Sequence, residues 1–202
     1  MADWWQSLLF ATTWYEWLAL ILALAYLVLA AHQKQLCWYA AALSCAIYSV
    51  MFWQGRLYME AILQVIYIVL AGYGWWQWHR LEAETDEPQS LSLSWRWHLA
   101  QWAWLIPVAV ATVILLRTFT DADQVWLDTF TTVFSLLATW LVAKKVFATW
   151  WYWLVIDSVY VYLYIVKGFY ATALLFVVYV LLVLYAMWRW YSAPEPLANQ
   201  VS

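Results

Sequence analysis

Charge is what this chain has least of. Only 10% of its 202 residues are Asp, Glu, Lys or Arg, against about a quarter in soluble domains. That excludes a folded domain wetted on all sides. Cysteine is nearly absent. Cys37 and Cys45 lie eight apart with no CxxC, so neither a disulfide framework nor a thiolate metal site is supported. The three histidines, His32, His79 and His98, fall at the edges of apolar runs, which argues against a buried metal centre or a histidine proton relay. No G-x-x-x-x-G-K-[ST] loop occurs, so the chain does not hydrolyse ATP alone. There is no nucleophile elbow or HExxH, and no basic stripe for nucleic acid. No enzyme chemistry, cofactor or metal is called for. The start, MADWWQSLLF, lacks the basic n-region of a secretory signal, so the N-terminus is expected to be retained.

What is there is hydrocarbon. The chain is 68% hydrophobic with mean hydropathy +0.69, and its few polar residues separate long apolar runs. Each such run is long enough to cross roughly 30 Å of lipid, where only a helix satisfies its own backbone. The pattern predicts seven spans: 15–31, 36–53, 57–78, 98–116, 125–143, 147–165 and 169–189. Lys34, Arg80, Arg96, Lys144, Lys145 and Arg189 fall on one side, and Arg56, Arg117 and Lys167 on the other. The positive-inside rule then puts the N-terminus outside and the C-terminus in the cytoplasm.

Slid against itself by 112 residues, the sequence matches without a gap. Trp14 falls on Trp126, Glu16 on Asp128, Trp38 on Trp150, Tyr48 on Tyr160, Tyr67 on Tyr179 and Trp78 on Trp190. The expected architecture is an all-α membrane protein with two three-helix repeats joined by a linker helix. The repeats cover 1–78 and 118–190, with a cytoplasmic loop and linker helix over 79–117 and a tail over 191–202. The single extra crossing makes the repeats parallel, an arrangement that places a transporter's substrate near mid-membrane between the halves.

Within that frame the polar residues fall into stripes. Trp150, Trp153, Asp157, Tyr160 and Tyr164 share one face of the sixth span, with Asp157 near mid-membrane. An ionised carboxylate there costs at least ~2.5 kcal/mol and faces a cavity or a partner. Two readings stand: a protonated Asp bridging helices, or a polar contact for substrate framed by aromatic faces. Asp128, Thr131, Thr132, Ser135 and Thr139 line the fifth span, as interhelical glue or as a wet pathway. Glu60, Gln64 and Tyr67 share a face of the third. Glu16, Glu60, Asp121, Asp123 and Asp128 all fall toward the outer side, where an acidic mouth would concentrate a cation. Trp38 and Tyr48 belong to the second span, as their repeat partners do to the sixth. Such rings stack on flat heterocycles and attract cations. The candidate substrate-binding set is therefore Glu16, Trp38, Tyr48, Glu60, Gln64, Tyr67, Thr132, Ser135, Thr139, Trp150, Trp153, Asp157, Tyr160 and Tyr164.

Three segments, QGRLYMEAILQVIYIVLAGYGWWQW, W-x-x-W-x-x-x-D followed by YIVKGFY, and ALLFVVYVLLVLYAMWRW, resemble the Pnu family of vitamin transporters. So does YEWLALILALAYLVLAAHQKQLCW, with Glu16 at its start and Trp38 opening the second helix. The resemblance covers nearly all of 14–190. It implies seven helices in a three-plus-one-plus-three order like that of the full-length SWEETs, homo-oligomers (trimers), and a place in the bacterial inner membrane. It also implies facilitated diffusion with trapping by an intracellular kinase. In the branch typified by PnuC, an aromatic-Pro-x-Gly stretch follows the helix 2 tryptophan and an amide sits late in helix 5. Here Trp38 is followed by YAAA, and LATWLVAKK carries Thr139 instead. These departures favour thiamine, the substrate of the PnuT branch, over nicotinamide riboside, with riboflavin and a cargo-free membrane scaffold behind. Both leading vitamins are flat cations, so composition does not separate them.

Overall fold

The computed structural model describes residues 14–56, 58–84, 90–119, 125–166, 168 and 170–192, apart from the side chains of 82–84, 119 and 171. Asp121, Asp123, Lys167, residues 85–89 and the tail from 193 lie outside them. Seven helices carry almost all of the described chain: α1 Trp14–Ala31, α2 Leu36–Gln54, α3 Tyr58–Glu84, α4 Trp95–Phe119, α5 Val125–Ala143, α6 Thr149–Val166 and α7 Tyr170–Tyr191. All but α6 combine the length and apolar composition needed to span a bilayer. In α6 the tryptophans, tyrosines and Asp157 dilute the aliphatic content. Helix α3 outruns its apolar stretch because HRLEAE continues a helix in water as readily as in lipid.

The chain divides into two compact units, Met1–Asp86 and Glu87–Ser202. In the first, α1 and α3 each pack against α2. Their contacts are made by small residues that let backbones approach closely: Ala19 and Ala30 are fully buried, and Ala61 and Ala71 nearly so. Ser44 Oγ donates to the Ala19 carbonyl at 2.8 Å, and Ser49 Oγ to that of Ala61 at 3.3 Å. At one end Trp38 meets Trp78 edge-to-face, ring centroids 5.3 Å apart.

In the second unit α4, α5, α6 and α7 pack in sequence order. The strand of chain entering α4 clips onto the α5–α6 turn. Leu91 N–H donates to the Lys145 carbonyl at 2.8 Å, and Phe147 N–H to that of Leu91 at 2.9 Å. Leu105, Leu137, Leu141 and Val146 close a small core beneath this clip. Thr149 Oγ1, fully buried, donates to the Ala138 carbonyl at 2.8 Å and ties α6 to α5.

Local geometry recurs at the 112-residue offset. Gln33 and Lys145 both turn the chain with φ near +50° (52° and 54°), as do Arg56 and Gly168 with φ of 60° and 78°. The Gln33 and Lys145 amides donate to Ala30 and Val142, again 112 apart, at 3.0 and 2.9 Å. Trp150 meets Trp190 at 5.2 Å and 84°, against 5.3 Å and 82° for Trp38 and Trp78. One element is not shared. Gly74 sits under Trp38, where a Cβ would lie 2.4 Å from the ring, whereas the matching position holds the fully buried Ala186.

Candidate functional site

Each unit gathers its own set of the residues singled out above. In the first, Tyr48 stacks on Phe52 at 5.8 Å and 18°, and Glu16 lies close enough to act electrostatically on the Tyr48 hydroxyl. The second unit has the same device. Tyr160 stacks on Tyr164 at 6.0 Å and 23°, and Asp128, the counterpart of Glu16, acts on Tyr160. An acid beside a stacked aromatic pair is thus built twice.

The second copy carries more. Tyr160 and Tyr164 both lie against Phe176 of α7, at 4.8 and 5.4 Å, forming an aromatic platform. The Tyr160 hydroxyl is held by Thr131 Oγ1 at 2.9 Å. Asp157 stands one turn below Tyr160 on the same face of α6, 5% exposed. No hydrogen bond or ion pair reaches its carboxyl group among the described residues. Among the described residues, the Tyr160 hydroxyl lies close enough to feel its charge. A buried carboxyl without a partner in a membrane helix is costly to keep, and the position matching it in the first unit is Cys45, which carries no such cost.

Trp38 and Trp150 are both buried, and neither indole Nε1 finds an acceptor among the described residues. Two unpaired donors at matched positions are unusual, since a buried Trp N–H normally has a partner. Trp153 is half-buried. Tyr67 lies near enough to Tyr26 to interact with it, and Gln64 is half-buried on the same helix.

Ser135 and Thr139 donate their hydroxyl protons within their own helix, to the Thr132 and Ser135 carbonyls at 2.9 and 2.8 Å, and both side chains are buried. Glu60 stands exposed in the first turn of α3. Three participants are absent from the candidate set. Phe176 completes the platform, Tyr26 tilts against Trp38 at 6.1 Å, and Thr131 orients Tyr160. Phe176 occupies the place that Gln64 holds in the first unit, and that mismatch in the repeat is the signal that could have found it.

Comparison with known proteins follows the same line. Residues 13–192 match the family described as nicotinamide mononucleotide transporter. The chain is similar to the nicotinamide riboside transporter PnuC of Escherichia coli (strain K12), 23% identical over 90% of this chain and 86% of the relative. The PnuC of Shigella flexneri matches to the same extent. Among solved structures, the crystal structure of the vitamin B3 transporter PnuC superposes with a TM-score of 0.73 at 21% identity. It covers 92% of this chain and 83% of that one.

Proposed function

The chain belongs to the nicotinamide mononucleotide transporter family, the Pnu transporters, and on that premise we propose that it moves a flat, cationic vitamin across the membrane, nicotinamide riboside first. One observation carries the reading: Asp157, buried and without a hydrogen-bond or ion-pair partner among the described residues, beside the Tyr160–Tyr164–Phe176 platform. A pyridinium ring supplies what both lack, a positive charge for the carboxylate and a π-face for the aromatic stack. The cost of keeping Asp157 in lipid is then offset when the cargo binds. Because Asp157 is 5% exposed, cargo reaches it only when neighbouring helices part, as alternating access requires.

The two units diverge at two matched positions: Cys45 aligns with Asp157 in the repeat, and Gln64 with Phe176. The names of the PnuC relatives reverse the order expected from sequence, so nicotinamide riboside leads. Thiamine stays second on one observation, the YAAA stretch after Trp38 with Thr139 late in α5.

The rest of the reading extends the family resemblance and the positive-inside rule. Transport is passive, in a three-plus-one-plus-three arrangement with the N-terminus outside the bacterial inner membrane. The working form is a homo-oligomer, a trimer, and a cytoplasmic kinase traps the cargo. The test is calorimetric binding of nicotinamide riboside, thiamine and riboflavin to purified protein. Nicotinamide riboside should bind in the micromolar range or tighter and outrank the other two. No binding below millimolar for any of them would end the vitamin reading.

A further inference from the structure

One hydroxyl proton beside the aromatic platform can be followed to its end. Thr131 sits in the second turn of α5 and is buried. Its Oγ1 lies 2.8 Å from the Leu127 carbonyl, 3.1 Å from the Asp128 carbonyl and 2.9 Å from the Tyr160 hydroxyl. A threonine hydroxyl has one proton to give, and a carbonyl oxygen can only accept. With two carbonyls within bonding distance, the Thr131 proton goes to them, the shorter contact first. Any other orientation sets lone pair against lone pair at 2.8 Å. The Tyr160 hydroxyl is therefore the donor to Thr131 Oγ1.

That bond uses the one proton the phenol has. The Tyr160 oxygen keeps only lone pairs, so it is an acceptor toward anything else that reaches it. Tyr160 is half-buried against Tyr164 and Phe176, which puts this oxygen on the rim of the platform. The charge of Asp157 is felt there too, and a carboxylate also accepts. Together the two groups ask for a donor or a cation and disfavour an anion. The other repeat supplies the contrast. The position matching Thr131 is Ala19, and Tyr48, the counterpart of Tyr160, makes no hydrogen bond among the described residues. Its hydroxyl can give or take, so the direction is fixed in the second copy and not in the first.

We propose that Thr131 is a positioning residue for cargo specificity: by holding the Tyr160 proton it makes the rim of the platform an acceptor, which selects a pyridinium carboxamide and rejects the corresponding carboxylate. The inference rests on the vitamin reading above and sharpens it. A carboxamide offers an N–H to the Tyr160 oxygen, whereas a carboxylate offers only lone pairs against lone pairs. Thr131 acts through Tyr160 and need not touch the cargo.

Calorimetric binding of nicotinamide riboside and nicotinic acid riboside to the purified full-length protein tests this, since the two differ in that one group. The wild type should bind the amide more tightly. Thr131→Val, which replaces the hydroxyl by a methyl, releases the Tyr160 proton to turn toward a carboxylate. It should narrow the ratio of the two dissociation constants roughly 2- to 13-fold, the range one hydrogen bond supplies. Repulsion from Asp157 also disfavours the acid, but it is the same in both proteins and cancels from the change. Thr131→Ser keeps the hydroxyl and should keep the ratio, whereas a purely structural threonine would weaken both ligands alike. In a Tyr160→Phe background Thr131→Val should change nothing further. Tyr160→Phe by itself should narrow the ratio, which decides the matter even where Thr131→Val fails to assemble. Wild-type preference for the acid, or a ratio unmoved by these changes while nicotinamide riboside still binds, overturns the role of Thr131 alone. No binding of either riboside by the wild type removes the vitamin reading, and this inference with it.

Discussion

Two glycines two residues apart on α3 give opposite predictions. At Gly72 an added Cβ meets nothing within 4 Å, whereas at Gly74 it would lie 2.4 Å from Trp38 Cη2 and Cζ2. To restore ordinary contact at 3.4 Å, the indole must retreat by about 1 Å. It has nowhere to go, being 2% exposed and held edge-on against Trp78. Overpacking of this kind costs about 1–3 kcal/mol, while Gly→Ala in a helix returns about 1 kcal/mol. Gly72→Ala collects the return alone. Gly74→Ala should therefore fall below Gly72→Ala by about 1–3 kcal/mol, because the helix term cancels between them. Unfolding of the purified protein in mixed micelles, titrated with dodecyl sulfate and followed by tryptophan fluorescence, measures the difference. Gly74→Ala at least as stable as Gly72→Ala would refute the reasoning, since it would mean that Trp38 is not fixed.

Three further outcomes follow from other parts of the chain. Arg56 turns left-handed at φ 60° where its repeat partner is Gly168, so Arg56→Gly should raise stability by about 1 kcal/mol in the same titration; a loss would mean that the arginine side chain outweighs its backbone cost. Trp153→Phe should weaken nicotinamide riboside binding less than Trp153→Ala, because an aromatic face survives; equal losses by calorimetry would remove Trp153 from the site. In liposomes the labelled vitamin should equilibrate without concentrating, whatever the sodium or proton gradient, and accumulation above the outside level would overturn passive transport.

The helices were legible because lipid enforces a single rule, an apolar run long enough to span, and the run lengths alone located seven elements. Ends were less so. α3 runs on to Glu84 and α4 starts at Trp95, since helix propensity does not stop where hydropathy does. The 112-residue register was readable in the tryptophans, and it foreshadowed the paired Trp38–Trp78 and Trp150–Trp190 contacts. The fate of the hydroxyls was not. A Thr or Ser stripe reads the same whether its protons go to a ligand or back to the helix, and Ser135 and Thr139 chose the helix. Phe176 was invisible as a site residue because a phenylalanine in an apolar span carries no mark of its own. The vitamin itself was the hardest to read, since thiamine and nicotinamide riboside present nearly the same flat cation to the same rings.

The central claim is that Asp157 pairs with the charge of the cargo, and the most direct measurement varies both partners. Nicotinamide riboside and its reduced, uncharged dihydro form differ little in shape, and Asp157→Asn keeps the volume of the side chain while removing its charge. Calorimetric binding of both ligands to both proteins completes the square. Charge pairing predicts that Asp157→Asn weakens the oxidised ligand by about 1–2 kcal/mol, roughly 5- to 30-fold, and hardly affects the reduced one. Equal losses for the two ligands, or no loss for the oxidised form, would contradict the account and return Asp157 to a structural role.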